Sequence, residues 1–134
     1  MEFDVAQEVH DQFVRNVDAV EATQLSWGNL AWLVDAQRME GAEQAFGIVT
    51  IDAGQRNPLH RHPNCEELLY VLQGTADHTL GDKVVQLKAG DIIRIPRGVP
   101  HYAQATGDGP VVAVISFSSG DRQTENLDGS ADIA

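Results

Sequence analysis

The chain has a single cysteine, Cys65, among 134 residues, so no internal disulfide can brace it. A lone thiol suits a reducing compartment, and a cytoplasmic location is expected. Basic residues are also scarce: nine Lys and Arg stand against 20 Asp and Glu, for a formal net charge of −11. A chain this acidic repels nucleic acid and anionic membranes at long range, and neither is expected as a partner. No apolar run approaches the roughly 20 residues that a membrane helix needs. The start, Met1-Glu2-Phe3-Asp4, lacks the positive region of a secretory signal. Aromatic residues make up only 6%, and Trp27 and Trp32 read as packing residues of a core or an interface. What is present, 43% apolar and 22% charged residues, suffices for the core and surface of one domain.

The acidity is uneven. Residues 1–24 carry Glu2, Asp4, Glu8, Asp11, Asp18 and Glu21 against Arg15 alone. Residues 121–134 carry Asp121, Glu125, Asp128 and Asp132 against Arg122, while the middle is nearly balanced. The chain therefore divides into an acidic N-terminal extension (1–24), a body (25–118) and an acidic tail (119–134). The tail is rich in Ser, Gly and Asp, with only Leu127 and Ile133 as anchors, and is expected to be mobile. The head is ambiguous. Val5, Val9 and Phe13 have helical spacing, whereas Phe13-Val14 and Val17 suit the start of a strand.

From residue 25 the pattern is β. Short runs rich in Val, Ile and Leu cover 30–34, 45–51, 67–72, 76–80, 84–87, 91–95 and 111–117. Between them lie turn signals such as Gln73-Gly74, Gly81-Asp82, Ala89-Gly90 and Pro96-Arg97-Gly98. Strands at this spacing, without helical segments or internal repeats, predict one all-β sandwich or barrel.

Chemistry concentrates in two places. His60 and His62 are two apart, so an extended backbone projects both rings from one face. Pro63-Asn64 then turns the chain, and the next strand can return a carboxylate, from Glu66 or Glu67. A third histidine, His101, follows the turn Pro96-Arg97-Gly98. Three imidazoles and one carboxylate suit a divalent transition metal.

These segments resemble the two motifs of the cupin family. Residues 54–74 match G-x5-H-x-H-x3,4-E-x6-G at every fixed position, through Gly54, His60, His62, Glu67 and Gly74. Residues 90–105 match G-x5-P-x-G-x2-H-x3-N through Gly90, Pro96, Gly98 and His101, with Ala105 in place of Asn. The resemblance implies a double-stranded β-helix, or jelly-roll barrel. It also implies one divalent metal per chain (Fe, Mn, Zn or Ni) on His60, His62, Glu67 and His101. The six residues from Glu67 to Gly74 favour Glu67 over Glu66, and alternation places Glu66, Leu68 and Tyr70 on the opposite face. Cupins of this kind act on oxygen-rich small molecules and are often dimers, so a small-molecule substrate and a homodimer are expected. The activity read from the resemblance is that of a metalloenzyme, foremost a dioxygenase-like oxidoreductase. An isomerase, epimerase or lyase on the same site, or a binding cupin with a structural metal, are the alternatives.

Two further residues stand out. His78 shares a face with Ala76 and Leu80, the expected inward face of its strand. It reads either as a core histidine bonded to a neighbour or as an acid–base group beside the metal. Arg56 borders the first motif and is expected to offer its charge to an acidic substrate at the cavity mouth. Arg61 alternates away from the histidines and reads as a solvated surface charge.

Overall fold

A computed structural model describes residues 5–130. It contains helix α1 (Val5–Phe13) and eleven strands among the described residues. Six form one sheet: β1 (Thr23–Leu25), β2 (Gly28–Val34), β3 (Ala45–Ile51), β10 (Val111–Phe117), β5 (Glu67–Gln73) and β8 (Ile92–Ile95), in that spatial order. The other five are β11 (Glu125–Asn126), β4 (His60–Arg61), β9 (His101–Ala105), β6 (Thr75–Leu80) and β7 (Lys83–Lys88). Every strand pairing is antiparallel, and the two sheets enclose the core. The expected all-β jelly roll is therefore the fold.

Period-2 alternation explains how the sheets pack. In β10, Val111, Ala113, Ile115 and Phe117 point inward, and in β3, Ala45, Val49 and Ile51 do the same. Burial of a side chain such as Ile51 or Ile95 contributes roughly 1.5–3 kcal/mol. Trp27 and Trp32, buried at 5% and 8% exposure, close the core beneath the site. Gly74 shows why its motif demands glycine. Its φ is +88°, and a Cβ there would sit 2.3 Å from the Pro110 carbonyl oxygen.

The termini differ from expectation. The ambiguous head forms α1, whose residues all remain exposed. The tail expected to be mobile is packed onto the barrel as far as it is described. Glu125 and Asn126 pair with Arg61 and His60, and Leu127 donates its N–H to the Leu59 carbonyl. The Asn64 side chain accepts from Gln123 N and donates to Asp121 O, clamping the preceding stretch. Polar contacts to backbone hold this segment, so it needs few apolar anchors. Ile133, expected as an anchor, lies outside the described residues, as do residues 1–4 of the N-terminal extension. Among the described residues no helix is long and apolar enough to cross a membrane.

Candidate metal centre

The register of the strands assembles the site. His60 on β4 pairs directly with His101 at the start of β9, and the Gly98 N–H donates to the His62 carbonyl across 2.9 Å. Glu67 opens β5 in the opposite sheet, with Leu69 and Val71 on its inward face. Glu66 faces outward and pairs with Arg94 at 2.8 Å, while Glu67 faces the histidines. The donor atoms of His60, His62, Glu67 and His101 lie within 4.8 Å of one another, and all four residues are buried. This quartet could hold a metal ion.

The hydrogen bonds prepare it for that task. His60 Nδ1 faces the Pro58 carbonyl at 2.6 Å, His62 Nδ1 the Gln123 carbonyl at 2.9 Å, and His101 Nδ1 the Val99 carbonyl at 2.9 Å. A carbonyl oxygen only accepts, so each Nδ1 carries the proton and each Nε2 turns a lone pair inward. Glu67 Oε1 meets two of these nitrogens, His101 Nε2 at 3.0 Å and His62 Nε2 at 3.2 Å. His62 Nε2 has no hydrogen-bond partner although it is fully buried. Converging lone pairs around one carboxylate repel each other unless a proton or a cation sits among them. The donor set thus fits a divalent transition metal.

Without a cation, a shared proton substitutes. Burial opposes ionisation of both His101 and Glu67, but their mutual hydrogen bond prevails, raising His101 and holding Glu67 well below the usual carboxylate range. Burial and the neighbouring His101 lower His60 to about 3.

His78 lies one diagonal step away on β6, where it pairs with Ala103. Its ring stacks on His101, with centroids 5.9 Å apart and planes 11° from parallel. It is 1% exposed and lines the same cavity, yet its Nδ1 has no hydrogen-bond partner. Burial, then His101, lowers its pKa to about 4. A group lowered from 6.5 binds its proton more readily in the unfolded chain, so stability falls as pH drops from about 6.5 to about 4. For His78 alone the full effect is on the order of 3 kcal/mol. The metal-free protein should therefore melt progressively lower across that window, and His78→Gln should flatten the slope in thermal melts. An equal slope in the variant would remove His78 as the cause.

Arg56, expected at the cavity mouth, is engaged with the C-terminal segment. Its guanidinium bonds Asp128 at 3.0 Å and lies 4.3 Å over the Tyr102 ring, and it does not line the cavity. Asp128, 72 residues away, already compensates its charge. Arg61 is surface-exposed as expected and pairs with Glu125 at 2.6 Å. Ala105 packs in the core, and its N–H donates to the Gln55 carbonyl, so the backbone before His60 supports β9 there.

The cationic residue of the cavity is Arg122, which the sequence reading counted only as a charge of the tail. It lies over the rings of Trp32 and Phe117, at 4.5 and 5.1 Å, and its Nη1 donates to Thr124 Oγ1 at 2.6 Å. The cavity around the quartet leaves about 50 Å³ for the centre of a water molecule, and most of its other lining residues are apolar.

A family model described as "Cupin domain" matches residues 47–117. The chain belongs to the cupin family. This cupin is 27% identical over 125 residues to germin-like protein 5-1 of Oryza sativa subsp. japonica, covering 87% of this chain and 57% of that protein. It superposes on the oxalate decarboxylase of Lactobacillus farciminis, solved as a formate complex, with a TM-score of 0.76 at 25% identity, covering 82% and 34% of the two chains. The oxalate decarboxylase of Bacillus subtilis, described with Mn(II) centres, gives a TM-score of 0.77 at 25% identity, covering 83% and 31%. The chain thus spans from about a third to under two thirds of the length of these relatives.

Proposed function

We propose that this cupin is a metal-dependent enzyme acting on an oxygen-rich small molecule, with His60, His62, Glu67 and His101 holding one divalent ion (Fe, Mn, Zn or Ni). The observation that carries the reading is the convergence of three imidazoles and one carboxylate, whose donor atoms lie within 4.8 Å of one another. The carbonyls of Pro58, Gln123 and Val99 fix the three rings. Four protein donors leave coordination positions on an octahedral ion, which a purely structural site tends to close. When bound, the ion supplies Lewis acidity to a substrate oxygen. The residues do the rest. Apolar walls, including Trp27, Leu30 and Ile115, limit water, and the small central space favours a ligand of few heavy atoms. His78, neutral near pH 7 and with Nδ1 free, is placed to take or give a proton.

The reaction class we favour is dioxygenase-like oxidoreduction. A lyase is the second reading, favoured by the likeness to two oxalate decarboxylases. Anaerobic loading with Fe(II), followed by oxygen-uptake assays on catechols, diketones and hydroxy acids, separates them. Uptake with one class is the expected result. Carbon dioxide release without oxygen uptake selects the lyase, and no turnover of any class favours a binding role. A homodimer belongs to the same reading. It is supported by an apolar outer sheet face in which Tyr70 pairs with Ile92 and Val114, flanked by exposed Phe46, Leu68 and Leu72. The single thiol, Cys65, is buried, consistent with a cytoplasmic setting.

A further inference from the structure

Arg122 sits where two cavities meet. It lines the central cavity of the quartet, and with Trp32 it also lines an outer groove of about 300 Å³ bordered by Thr23, Asp35, Arg38 and Asp121. The two side chains therefore form the partition between groove and metal site. The guanidinium uses Thr124 as its hydrogen-bond acceptor and two ring faces as its bed, and among the described residues it forms no ion pair. Of the groove's two acids, Asp35 is engaged by Arg38 and Asp121 accepts from the Gln123 side chain. A half-buried guanidinium without a carboxylate partner has donors to spare, since it carries five N–H groups.

The charge inside the cavity points the same way. Glu67 is the carboxylate among the residues that line it, and a divalent ion would take up that charge. Arg122 then adds to the positive excess, in a low-dielectric pocket where an uncompensated cation is costly. An anionic ligand removes that cost, and a guanidinium matches the fork of a carboxylate.

We propose that Arg122 is the specificity-determining residue of this site, recognising a carboxylate of a small organic acid that reaches the metal from the outer groove. This rests on the metal reading above for the ligand's second contact, whereas the contact to Arg122 is made by the protein alone. Thr124, which touches both Arg122 Nη1 and His62 Nδ1 (3.2 Å), ties the recognition residue to one face of the quartet.

Calorimetry of the Zn(II)-loaded and metal-free protein with glycolate, and with its neutral amide glycolamide, tests the proposal. Wild type should prefer glycolate, and Arg122→Gln should cut that preference at least about tenfold. Arg122→Lys should retain the preference at lower affinity, since it keeps the charge and loses the fork. Zinc content, read on the same samples, should stay near that of wild type in both variants. Wild type that binds acid and amide equally, or Arg122→Gln with an unaltered preference, overturns the proposal. Wild type that binds no zinc overturns the metal reading instead. The preference in metal-free protein and its loss in Arg122→Gln then still decide the role of Arg122.

Discussion

Glu67→Ala should lose metal affinity by more than about 100-fold, beyond the 10- to 100-fold typical when only a supporting contact to a ligand is lost. Glu67 is the one anion of the quartet and is 5% exposed, so its removal leaves a dication facing three neutral imidazoles in a poorly solvated pocket. Glu67→Gln separates charge from shape, because it keeps an oxygen near His62 and His101 and loses only the charge. It should bind metal far more weakly than wild type while folding normally. His101→Ala should also abolish binding, since it removes the nitrogen 3.0 Å from Glu67 and the register partner of His60. Two measurements check this: metal analysis of protein purified without an affinity tag, and thermal melts with and without added metal. At a metal concentration about 100 times the dissociation constant, binding stabilises the fold by about 2.7 kcal/mol, a rise of roughly 10 °C for a domain of this size. Glu67→Ala should show no such rise. Wild type with far less than one ion per chain, or a Glu67→Ala protein that still binds metal tightly, would sink the metal site.

The quartet was legible in the sequence because each of its parts is local. Two histidines at strand spacing, a turn and a returning strand specify geometry within a few residues, and the strands 45–51 and 111–117 appear at the boundaries read from their runs of Val, Ile and other apolar residues. Short or weakly apolar elements escaped that reading. β11 is two residues, Glu125-Asn126, with no apolar side chain to mark it. The Arg56–Asp128 pair escaped it for a related reason, since Asp128 lies in a segment with little hydrophobic signal. Arg122 was missed because its neighbours Trp32 and Phe117 are distant in sequence and meet only once the sheets close. Composition described the tail as polar, and that was correct. Composition does not show that side chains such as Asn64 and Asp128 satisfy backbone groups across the barrel mouth and dock the segment there.

Truncation after Ser118 should consequently damage the metal site instead of trimming a dispensable tail. The deletion removes the Gln123 carbonyl and the Thr124 hydroxyl that face His62 Nδ1, at 2.9 and 3.2 Å. It also strips β4 of one of its two partner strands, β11, and frees Leu59 N from the Asp128 carboxylate. His60 keeps its bond to Pro58 and His101 its bond to Val99, so two of the three rings stay oriented. His62 would then rotate, and its tautomer would no longer be fixed. Metal affinity should fall by about 10- to 100-fold, the usual consequence of losing a ligand's orienting partner. Each lost hydrogen bond should also remove about 0.5–1.5 kcal/mol of stability, giving a clear drop in melting temperature. Asn64→Ala is the gentler test, because it leaves the segment in the chain and cuts the two bonds that clamp Asp121 and Gln123. It should move metal affinity in the same direction by a smaller factor, with little change in the melting temperature of the metal-free protein relative to the truncation. Wild-type metal affinity in the truncated protein would show that His62 needs no support from residues 119–130. The quartet would then be set by β4, β5 and β9 alone.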